Sequence, residues 1–179
     1  MRKLIFFMHA SLDGFVAGPN GEMNWIKVDN EIFDFVATMT DQADAALYGR
    51  VTYQMMEAYW PTAGEKPNAS QHDIEHSEWY KKVLKVVLSG TMKQTGQNST
   101  MVISENISEN INRIKQQDGK NILIFGSPSA SKTLLNMGLS AGGQIEAPIG
   151  DSPWGTYFGM FRDKYGIEWM VNFDPKFNG

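Results

Sequence analysis

Three short runs of glycine, hydroxyl-bearing and basic residues each follow directly after an apolar segment. The runs are Gly49-Arg50-Val51-Thr52, Ser89-Gly90-Thr91 and Gly126-Ser127-Pro128-Ser129. Two of them also precede a segment with helical periodicity, and the free N–H groups and positive dipole end of a helix N-terminus attract phosphate. Arg50 adds a positive charge, and Pro128 suits a first helical position. The runs therefore predict a cradle for the phosphates of a dinucleotide.

Each run taken alone has a simpler interpretation, because glycine and serine after a strand most often mark a turn. Their joint placement is more informative, since ligands of open α/β sheets bind beyond the carboxyl ends of the strands. The sequence carries no GxGxxG pattern. A dinucleotide site of the Rossmann type is therefore not supported.

The segments that would position these runs alternate between short apolar stretches and helical periodicity. Predicted strands cover residues 4–8, 45–48, 85–89, 100–103 and 121–125. Four helices are predicted. The first follows the N-cap residue Asp29, the second covers residues 51–59, the third carries Ile107, Ile111 and Ile114 on one face, and the fourth covers residues 129–137. Strands separated by helices predict a largely parallel sheet that is covered on both faces. Trp60-Pro61 is expected to end the second helix, and residues 62–78 are expected to form a surface loop.

Residues 140–179 show a different pattern. Residues 157–162 and 167–173 flank Asp163-Lys164-Tyr165-Gly166, which predicts an antiparallel hairpin. Between residues 144 and 149 apolar side chains alternate with others, as in a strand. We expect these segments to complete the sheet, so that residues 1–179 form a single domain.

The composition narrows the class of partner. The 179 residues include no cysteine, 42% of them are hydrophobic, and the net charge is −4. The lack of cysteine excludes disulfides and thiolate metal sites. The negative charge argues against nucleic-acid and membrane partners, which favour dense basic patches. No apolar stretch approaches the roughly 20 residues that span a bilayer, so we expect a soluble cytoplasmic protein.

Four segments together resemble a known family. They are Ser11-Leu12-Asp13-Gly14-Phe15-Val16-Ala17, Leu47-Tyr48-Gly49-Arg50-Val51-Thr52-Tyr53, Lys85-Val86-Val87-Leu88-Ser89 and Ile122-Leu123-Ile124-Phe125-Gly126-Ser127. In order and spacing, residues 1–139 resemble the dihydrofolate reductase-like superfamily, in particular its riboflavin-biosynthesis reductase (RibD C-terminal) branch. The resemblance implies an α/β fold of the dihydrofolate reductase-like type, with a central, mostly parallel sheet, flanking helices and a C-terminal antiparallel hairpin. It also implies NADPH as the cofactor.

The resemblance further implies a role for each matching position. The pyrophosphate or the adenosine phosphate would contact Gly49, Arg50, Val51 and Thr52. The adenosine end would lie over Ser89, Gly90 and Thr91, and the other side of the phosphates would meet Gly126, Ser127 and Ser129. Ala10 and Ala17 would flank the nicotinamide, with the loop from Gly18 to Trp25 acting as a lid that excludes water. Because an added phosphate could pair with Arg50, NADPH is expected to bind more tightly than NADH.

One position departs from the folate-reducing members of the superfamily. Those enzymes place a carboxylate five positions beyond the loop tryptophan to protonate the pterin, and here Asn30 stands five positions beyond Trp25. A neutral amide cannot donate that proton, so folate reduction is not expected. Asp13 is then the remaining acid near the expected site and the candidate catalytic residue, although an aspartate before a glycine also suits a turn.

The C-terminal segment resembles a different family. Residues 142–149 and 154–172 are similar to the C-terminus of PhnB-like proteins, which belong to the glyoxalase-like, vicinal oxygen chelate family. This similarity implies a chimera, natural or engineered, that is joined near residues 139–143. The metal site of that family is not expected here, because its ligands lie on missing strands and Met170 takes the place of the terminal-strand carboxylate.

The histidines have structural interpretations. His9 follows the first predicted strand and is expected to be a hydrogen-bonded core or rim residue. His72 and His76 lie four residues apart, a spacing that can bind a metal on a helix. In a polar loop with no third ligand, a solvated face is the favoured interpretation, and no metal site is predicted.

Two main classes of function follow. The leading prediction is an NADPH-dependent reductase of a small heterocyclic or carbonyl substrate, in which water or Asp13 supplies the proton. The competitor is a dinucleotide-binding or catalytically silent folded protein, because the C-terminal part is replaced. A metal-dependent glyoxalase-like dimer is the least favoured class. The expected partner is a small-molecule substrate, and a homodimer is left open.

Overall fold

The computed structural model describes residues 1–11, 15–24, 26, 29–94, 96 and 99–138 in full, together with the backbone of three strands between residues 144 and 173. In chain order the elements are β1 (Leu4–Phe7), α1 (Asn30–Thr40), β2 (Ala43–Gly49), α2 (Arg50–Ala63), α3 (Gln71–Lys82), β3 (Leu84–Leu88), β4 (Thr100–Ile103), α4 (Ile107–Gln116), β5 (Asn121–Phe125), α5 (Pro128–Asn136), β6 (Gln144–Asp151), β7 (Tyr157–Arg162) and β8 (Glu168–Phe173). Among the described helices, none combines the length and the apolar character that a membrane span requires.

The main sheet has five strands in the order β1-β5-β2-β3-β4, and every neighbouring pair is parallel. Leu47 in the central strand β2 pairs with Ile124 of β5 on one side and with Val86 of β3 on the other. All three side chains are fully buried, as expected for a parallel sheet covered on both faces. The predicted parallel α/β fold is therefore confirmed, and it brings the carboxyl ends of all five strands to one edge.

Two hydrophobic cores of different character cover the faces of this sheet. On one face α4 and α5 contribute Ile111, Ile114 and Leu134 to a core built from aliphatic side chains. On the other face α1, α2 and α3 pack a core rich in aromatic side chains, among them Tyr53 and Tyr80. The two faces therefore differ in chemistry as well as in the number of helices.

Helix α1 begins as the sequence predicts, whereas α2 extends further. The carboxylate of Asp29 accepts a hydrogen bond from the backbone N–H of Ile32 at 3.0 Å, which confirms the predicted N-cap. Helix α2 continues through Pro61 to Ala63, so the prediction that it ends before the proline is wrong. Pro61 lies in the last turn, where its missing N–H removes only one helical hydrogen bond. Trp60 packs against His76, which helps to hold this turn in place.

Helix α3 occupies a segment for which the sequence predicts mainly a surface loop. A capping box starts it: Ser70 Oγ accepts from the N–H of Asp73 at 3.1 Å, and the Asp73 carboxylate accepts from the N–H of Ser70 at 3.0 Å. Lys81 and Lys82 occupy its last turn, where positive charge is favourable. The composition of α3 is polar, so the apolar periodicity on which the prediction relied is weak there.

The C-terminal strands form a sheet of their own. β6, β7 and β8 pair antiparallel in that order, and the predicted hairpin of residues 157–162 and 167–173 corresponds to β7 and β8. Among the described residues, no backbone pairing joins this three-stranded sheet to the five-stranded one. The expectation that the tail completes the main sheet by strand pairing is thus not met there. Each antiparallel strand instead finds its hydrogen-bond partners within the tail. Whether residues 1–179 form one domain stays a prediction.

Candidate functional site

A cavity of about 370 Å³ lies at the carboxyl edge of the main sheet, within the size range of small-molecule sites. It is lined by Gly49, Arg50, Val51, Thr52, Leu88, Ser89, Gly90, Ile103, Ser104, Ile107, Ser127, Pro128, Ser129, Ala130 and Thr133. Strand order explains this convergence, because β2 lies between β5 and β3, and β4 follows β3. The three runs that the sequence singles out therefore meet at one cavity.

The helices that begin at this cavity have no side-chain cap. Gly49 precedes α2, Ser127 precedes α5 and Asn106 precedes α4, and none of the three caps its helix through a side-chain hydrogen bond. The first N–H groups of a helix have no partner within the helix. Asp29 and Ser70 supply such a partner to α1 and α3. The donors of the uncapped helices are therefore available to an anion at the cavity.

Two glycines in the lining have no structural requirement for glycine. Gly49 has an ordinary φ of −77°, and a Cβ added there would meet Ala130 Cβ at 3.6 Å and Ser127 Cβ at 3.7 Å, which are normal contacts. A Cβ added at Gly90 would meet nothing within 4 Å. By contrast, a Cβ at Gly64 would lie 2.9 Å from Ile74 Cα, so packing between α2 and α3 requires that glycine. Glycine at 49 and 90 instead suits the close approach of a ligand to the backbone.

The hydroxyl groups of the lining differ in what they can offer to a ligand. Ser89 Oγ accepts hydrogen bonds from the N–H groups of Thr91 and Met92 at 3.2 and 2.9 Å, which uses only its acceptor side. Ser127 Oγ accepts from the N–H of Gly49 at 2.9 Å and donates to the carbonyl oxygen of Phe125 at 3.0 Å. The proton of Ser89 is therefore available to an acceptor such as phosphate, whereas the proton of Ser127 is already used.

Arg50 is the cation in the lining and lies at the start of α2. Its side chain is exposed and donates from a guanidinium nitrogen to Gln54 Oε1, one helical turn along, at 3.0 Å. An exposed guanidinium at a helix N-terminus can reach a phosphate without first breaking a buried interaction. This position is consistent with the role that the sequence predicts for Arg50.

Most of the predicted binding residues belong to the cavity, and a few do not. Those in the lining are Gly49, Arg50, Val51, Thr52, Ser89, Gly90, Ser127 and Ser129, whereas Ala10, Ala17, Thr91 and Gly126 lie outside it. The sequence predicts no role for the residues that complete the lining, which are Leu88, Ile103, Ser104, Ile107, Ala130 and Thr133. The end of the fourth predicted strand could have indicated Ile103 and Ser104, because that strand shares the same edge.

The predicted catalytic end of the site lies largely outside the described residues. Asp13 and Trp25 are among the residues that the structure does not describe. Asn30 is exposed at the first position of α1. In the expected lid, a tight turn places the N–H of Gly18 2.8 Å from the carbonyl oxygen of Glu22. The catalytic role of Asp13 and the lid stay predictions.

Neither histidine on α3 lies on a solvated face, which corrects the sequence interpretation. The His72 ring stacks on Phe33, with ring centroids 5.1 Å apart. His76 is enclosed by Trp60, Trp79 and Phe125, at ring-centroid distances of 4.0, 5.2 and 5.8 Å. This burial lowers the pKa of His76 to about 4, against a smaller raising effect of Asp73. The error follows from the loop assigned to residues 62–78, since a helix there turns His76 toward the sheet. Among the residues described, no group of three potential ligands could hold a metal ion.

His9 lies at the rim beyond β1. Its ring meets the ring of Phe7 edge-on, with centroids 5.1 Å apart. Partial burial lowers the pKa of His9, so the neutral imidazole is favoured at neutral pH. The predicted rim position agrees with this geometry.

The fold and the cavity define an α/β protein of the dihydrofolate reductase-like class. The model of the RibD C-terminal domain family matches residues 2–141, and the chain therefore belongs to that family. A relative from Bacillus subtilis (strain 168), "Uncharacterized protein YyaP", is 34% identical over 142 residues, which cover 77% of this chain and 70% of the relative. The family is related to reductases that bind NADPH. Its match ends at residue 141, so the chimera and the PhnB-like origin of the tail stay predictions.

Proposed function

We propose that the protein binds NADPH in this cavity and reduces a small heterocyclic or carbonyl substrate. One observation carries the proposal: uncapped helix N-termini, open glycines and an exposed arginine converge on one cavity at the carboxyl edge of the sheet. Anionic ligands with a large planar group fit such a surface, because amide donors suit phosphate and the aliphatic lining suits a base.

The lining residues divide this work between polar and apolar contacts. The N–H groups at the starts of α2 and α5 would hold the pyrophosphate, and Arg50 would pair with a further phosphate on the adenosine side. The hydroxyl of Ser89 and the backbone of Gly90 would contact the adenosine end. Ile103 and Ile107 would exclude water from the base, which adds affinity in proportion to the apolar area that they cover.

When bound, the reduced nicotinamide would supply a hydride. The chain has to orient the substrate beside it, exclude water and provide a proton. We assign the proton to Asp13 or to a water molecule, and the exclusion of water to the loop from Gly18 to Trp25. Neutral His9 at the rim offers a further hydrogen bond to a substrate atom.

A catalytically silent dinucleotide-binding protein is the second candidate. It is favoured by the C-terminal region, because the family match ends at residue 141 and the strands that follow pair only with one another in the described backbone. A replaced C-terminal region could leave the cofactor cavity intact while removing a wall of the substrate site. The two candidates differ in turnover and agree in cofactor binding.

Titration of the purified protein with NADPH, followed by energy transfer from tryptophan to the nicotinamide, tests the proposal. We expect saturable binding of NADPH, and we expect inorganic pyrophosphate to compete with it for the site. Absence of binding would contradict both candidates. Binding without oxidation of NADPH, across a panel of heterocyclic and carbonyl compounds, would favour the silent protein.

Dihydrofolate provides a sharper test of the substrate assignment. We expect no turnover of dihydrofolate at neutral pH, because Asn30 at the start of α1 cannot donate a proton to the pterin. The Asn30→Asp variant, which places a carboxylate at this position, is the comparison. We expect that it does not lower any background rate of dihydrofolate reduction. Measurable turnover by the unmodified protein would show that another group donates the proton.

A further inference from the structure

Ser127 occupies the N-cap position of α5 and yet does not cap that helix. Serine is among the most favoured N-cap residues, because its hydroxyl usually accepts a hydrogen bond from an N–H in the first turn. Here its backbone is left-handed, with φ 54° and ψ 58°, and no side-chain hydrogen bond reaches α5. A non-glycine residue in this region is strained, so other interactions have to hold it there.

The hydroxyl of Ser127 instead joins two adjacent strands. It accepts from the N–H of Gly49 at the end of β2 and donates to the carbonyl oxygen of Phe125 at the end of β5. We call these two hydrogen bonds the Ser127 bridge. The residue is 5% exposed, so the bridge is shielded from competing water.

The bridge leaves Ser127 unsuited to bind a phosphate directly. A serine hydroxyl has one proton and two lone pairs, and the proton of Ser127 is directed to Phe125. The remaining lone pair is an acceptor, and phosphate oxygens are acceptors as well. Ser127 therefore lies in the lining but offers no donor to an anion.

We infer that Ser127 is a positioning residue: its bridge sets the spacing of the N-termini of α2 and α5, so that amide donors of both helices meet one pyrophosphate. This inference rests on the proposed function. The hydrogen bond between the N–H of Gly49 and Ser127 Oγ joins the residues that directly precede the two helices, since α2 begins after Gly49 and α5 begins after Ser127. By turning away from its own helix, Ser127 also leaves the first N–H groups of α5 to the ligand.

Ser127→Gly separates this role from a contribution to folding. Glycine adopts the left-handed backbone without strain, which offsets part of the cost of leaving the N–H of Gly49 and the carbonyl oxygen of Phe125 without this partner, and urea unfolding measures the net change in stability. We expect the Kd for NADPH and the Kd for inorganic pyrophosphate each to rise about tenfold, the effect of misplacing an oriented donor pair. The Kd for adenosine, which carries no phosphate, should not change. Ser127→Ala should give the same pattern with lower stability.

Ser131→Ala is the matched control. Ser131 Oγ donates to the carbonyl oxygen of Gly126 at 2.9 Å in the same turn, but it does not link β5 to β2 and does not line the cavity. We expect its Kd for NADPH to stay within about twofold of the unmodified value, since no donor to the ligand moves. Amide hydrogen exchange at Gly49 should accelerate in Ser127→Gly and not in Ser131→Ala.

Unchanged affinity of Ser127→Gly for NADPH and pyrophosphate would overturn the inference while leaving the proposed function intact. If the unmodified protein binds pyrophosphate but no nicotinamide dinucleotide, the proposed function fails, and weaker pyrophosphate binding by Ser127→Gly still supports the bridge. If the unmodified protein binds neither ligand, both proposals are overturned.

Discussion

The two ends of the parallel sheet are built in opposite ways. At the amino end, the buried guanidinium of Arg2 pairs with Asp44 and donates from Nε to the carbonyl oxygen of Lys120 at 2.6 Å. The other oxygen of Asp44 accepts from the N–H of Lys120 at 3.0 Å. A Cβ on Gly119 would lie 2.7 Å from that carboxylate, so the packing there leaves no room. The charges of Arg2 and Asp44 and the backbone groups of Lys120 therefore find their partners within the protein.

The carboxyl end leaves its polar groups open. Helices α2, α4 and α5 start there without side-chain caps, and a Cβ on Gly90 would meet nothing. The two positive-φ residues other than glycine, Asn106 and Ser127, precede helices at this edge among the described residues. The strain and the uncapped donors at one end suit the proposed binding of a ligand, whereas the paired charges at the other end contribute to stability.

Removal of the ion pair at the amino end should have the largest effect on stability. Asp44→Ala leaves the buried guanidinium of Arg2 without its carboxylate partner. Because the Asp44 side chain is itself 45% exposed, we expect the free energy of unfolding to fall by about 2–4 kcal/mol, less than for a fully buried pair. The Kd for NADPH should stay unchanged, because the cavity lies at the other edge. Urea unfolding and NADPH titration check the two halves of this prediction. Asp41→Ala, at an exposed carboxylate nearby, is the control. Weaker cofactor binding in a folded Asp44→Ala variant would contradict the division between the two ends.

Acid should lower the free energy of unfolding through His76, which is enclosed by Trp60, Trp79 and Phe125. The unfolded chain binds a proton at His76 near pH 6.5, and the folded chain only near pH 4, because burial lowers the pKa to about 4. Between these values the unfolded state holds more protons, so stability falls as the pH falls. The difference between about pH 7.5 and about pH 4.5 should amount to about 2–3 kcal/mol from this residue.

His76→Phe serves as the comparison for that measurement. It keeps an aromatic ring against Trp60, Trp79 and Phe125 and removes the titrating group. Urea unfolding at both pH values should show a smaller loss in the variant than in the unmodified protein. Equal losses would mean that other groups cause the acid sensitivity.

The sequence predicts the sheet and the residues that meet at its carboxyl edge well, because buried parallel strands appear as apolar runs and turn residues follow them. The five strands and the convergence of the three runs follow from that pattern alone. Gly119 illustrates the limit at the other end. It lies beyond Gln117, the C-cap of α4, and the close approach of Asp44 and Arg2 leaves no room there for a Cβ. Such contacts between distant segments leave no local signal.

The errors near α3 have the same origin. Its composition is polar, and contacts with α1 and α2 stabilise it instead of a strong apolar stripe of its own. The capping box of Ser70 and Asp73 is the local signal that could have revealed it. Without that helix, neither the burial of His76 nor the continuation of α2 past Pro61 could be predicted.

Substitution of an open glycine should affect binding more than stability. Gly90→Ala places a methyl group where the cofactor is proposed to approach the backbone, so we expect its Kd for NADPH to rise about tenfold, or about 1.4 kcal/mol. The free energy of unfolding should stay equal or rise by about 0.5 kcal/mol, because alanine restricts the unfolded chain. Gly64→Ala should show the reverse, with lower stability and the same Kd. A Gly90→Ala variant that binds NADPH as well as the unmodified protein would place the cofactor elsewhere.

The smallest expected effect concerns the choice between NADPH and NADH. Arg50 is exposed and already interacts with Gln54, so its pairing with an added phosphate takes place in water and should contribute only about 1 kcal/mol. We therefore expect Arg50→Ala to weaken NADPH about fivefold and NADH by less, which reduces the preference between them. Arg113→Ala is a close control: that exposed side chain also donates to an amide on its own helix, Asn110 Oδ1, at 2.8 Å, but lies outside the cavity lining. Titrations at low and high salt would add a second criterion, because an exposed ion pair weakens as ionic strength rises. Equal affinities of the unmodified protein for NADPH and NADH would remove Arg50 from cofactor selection while leaving the contrast between the two ends of the sheet intact.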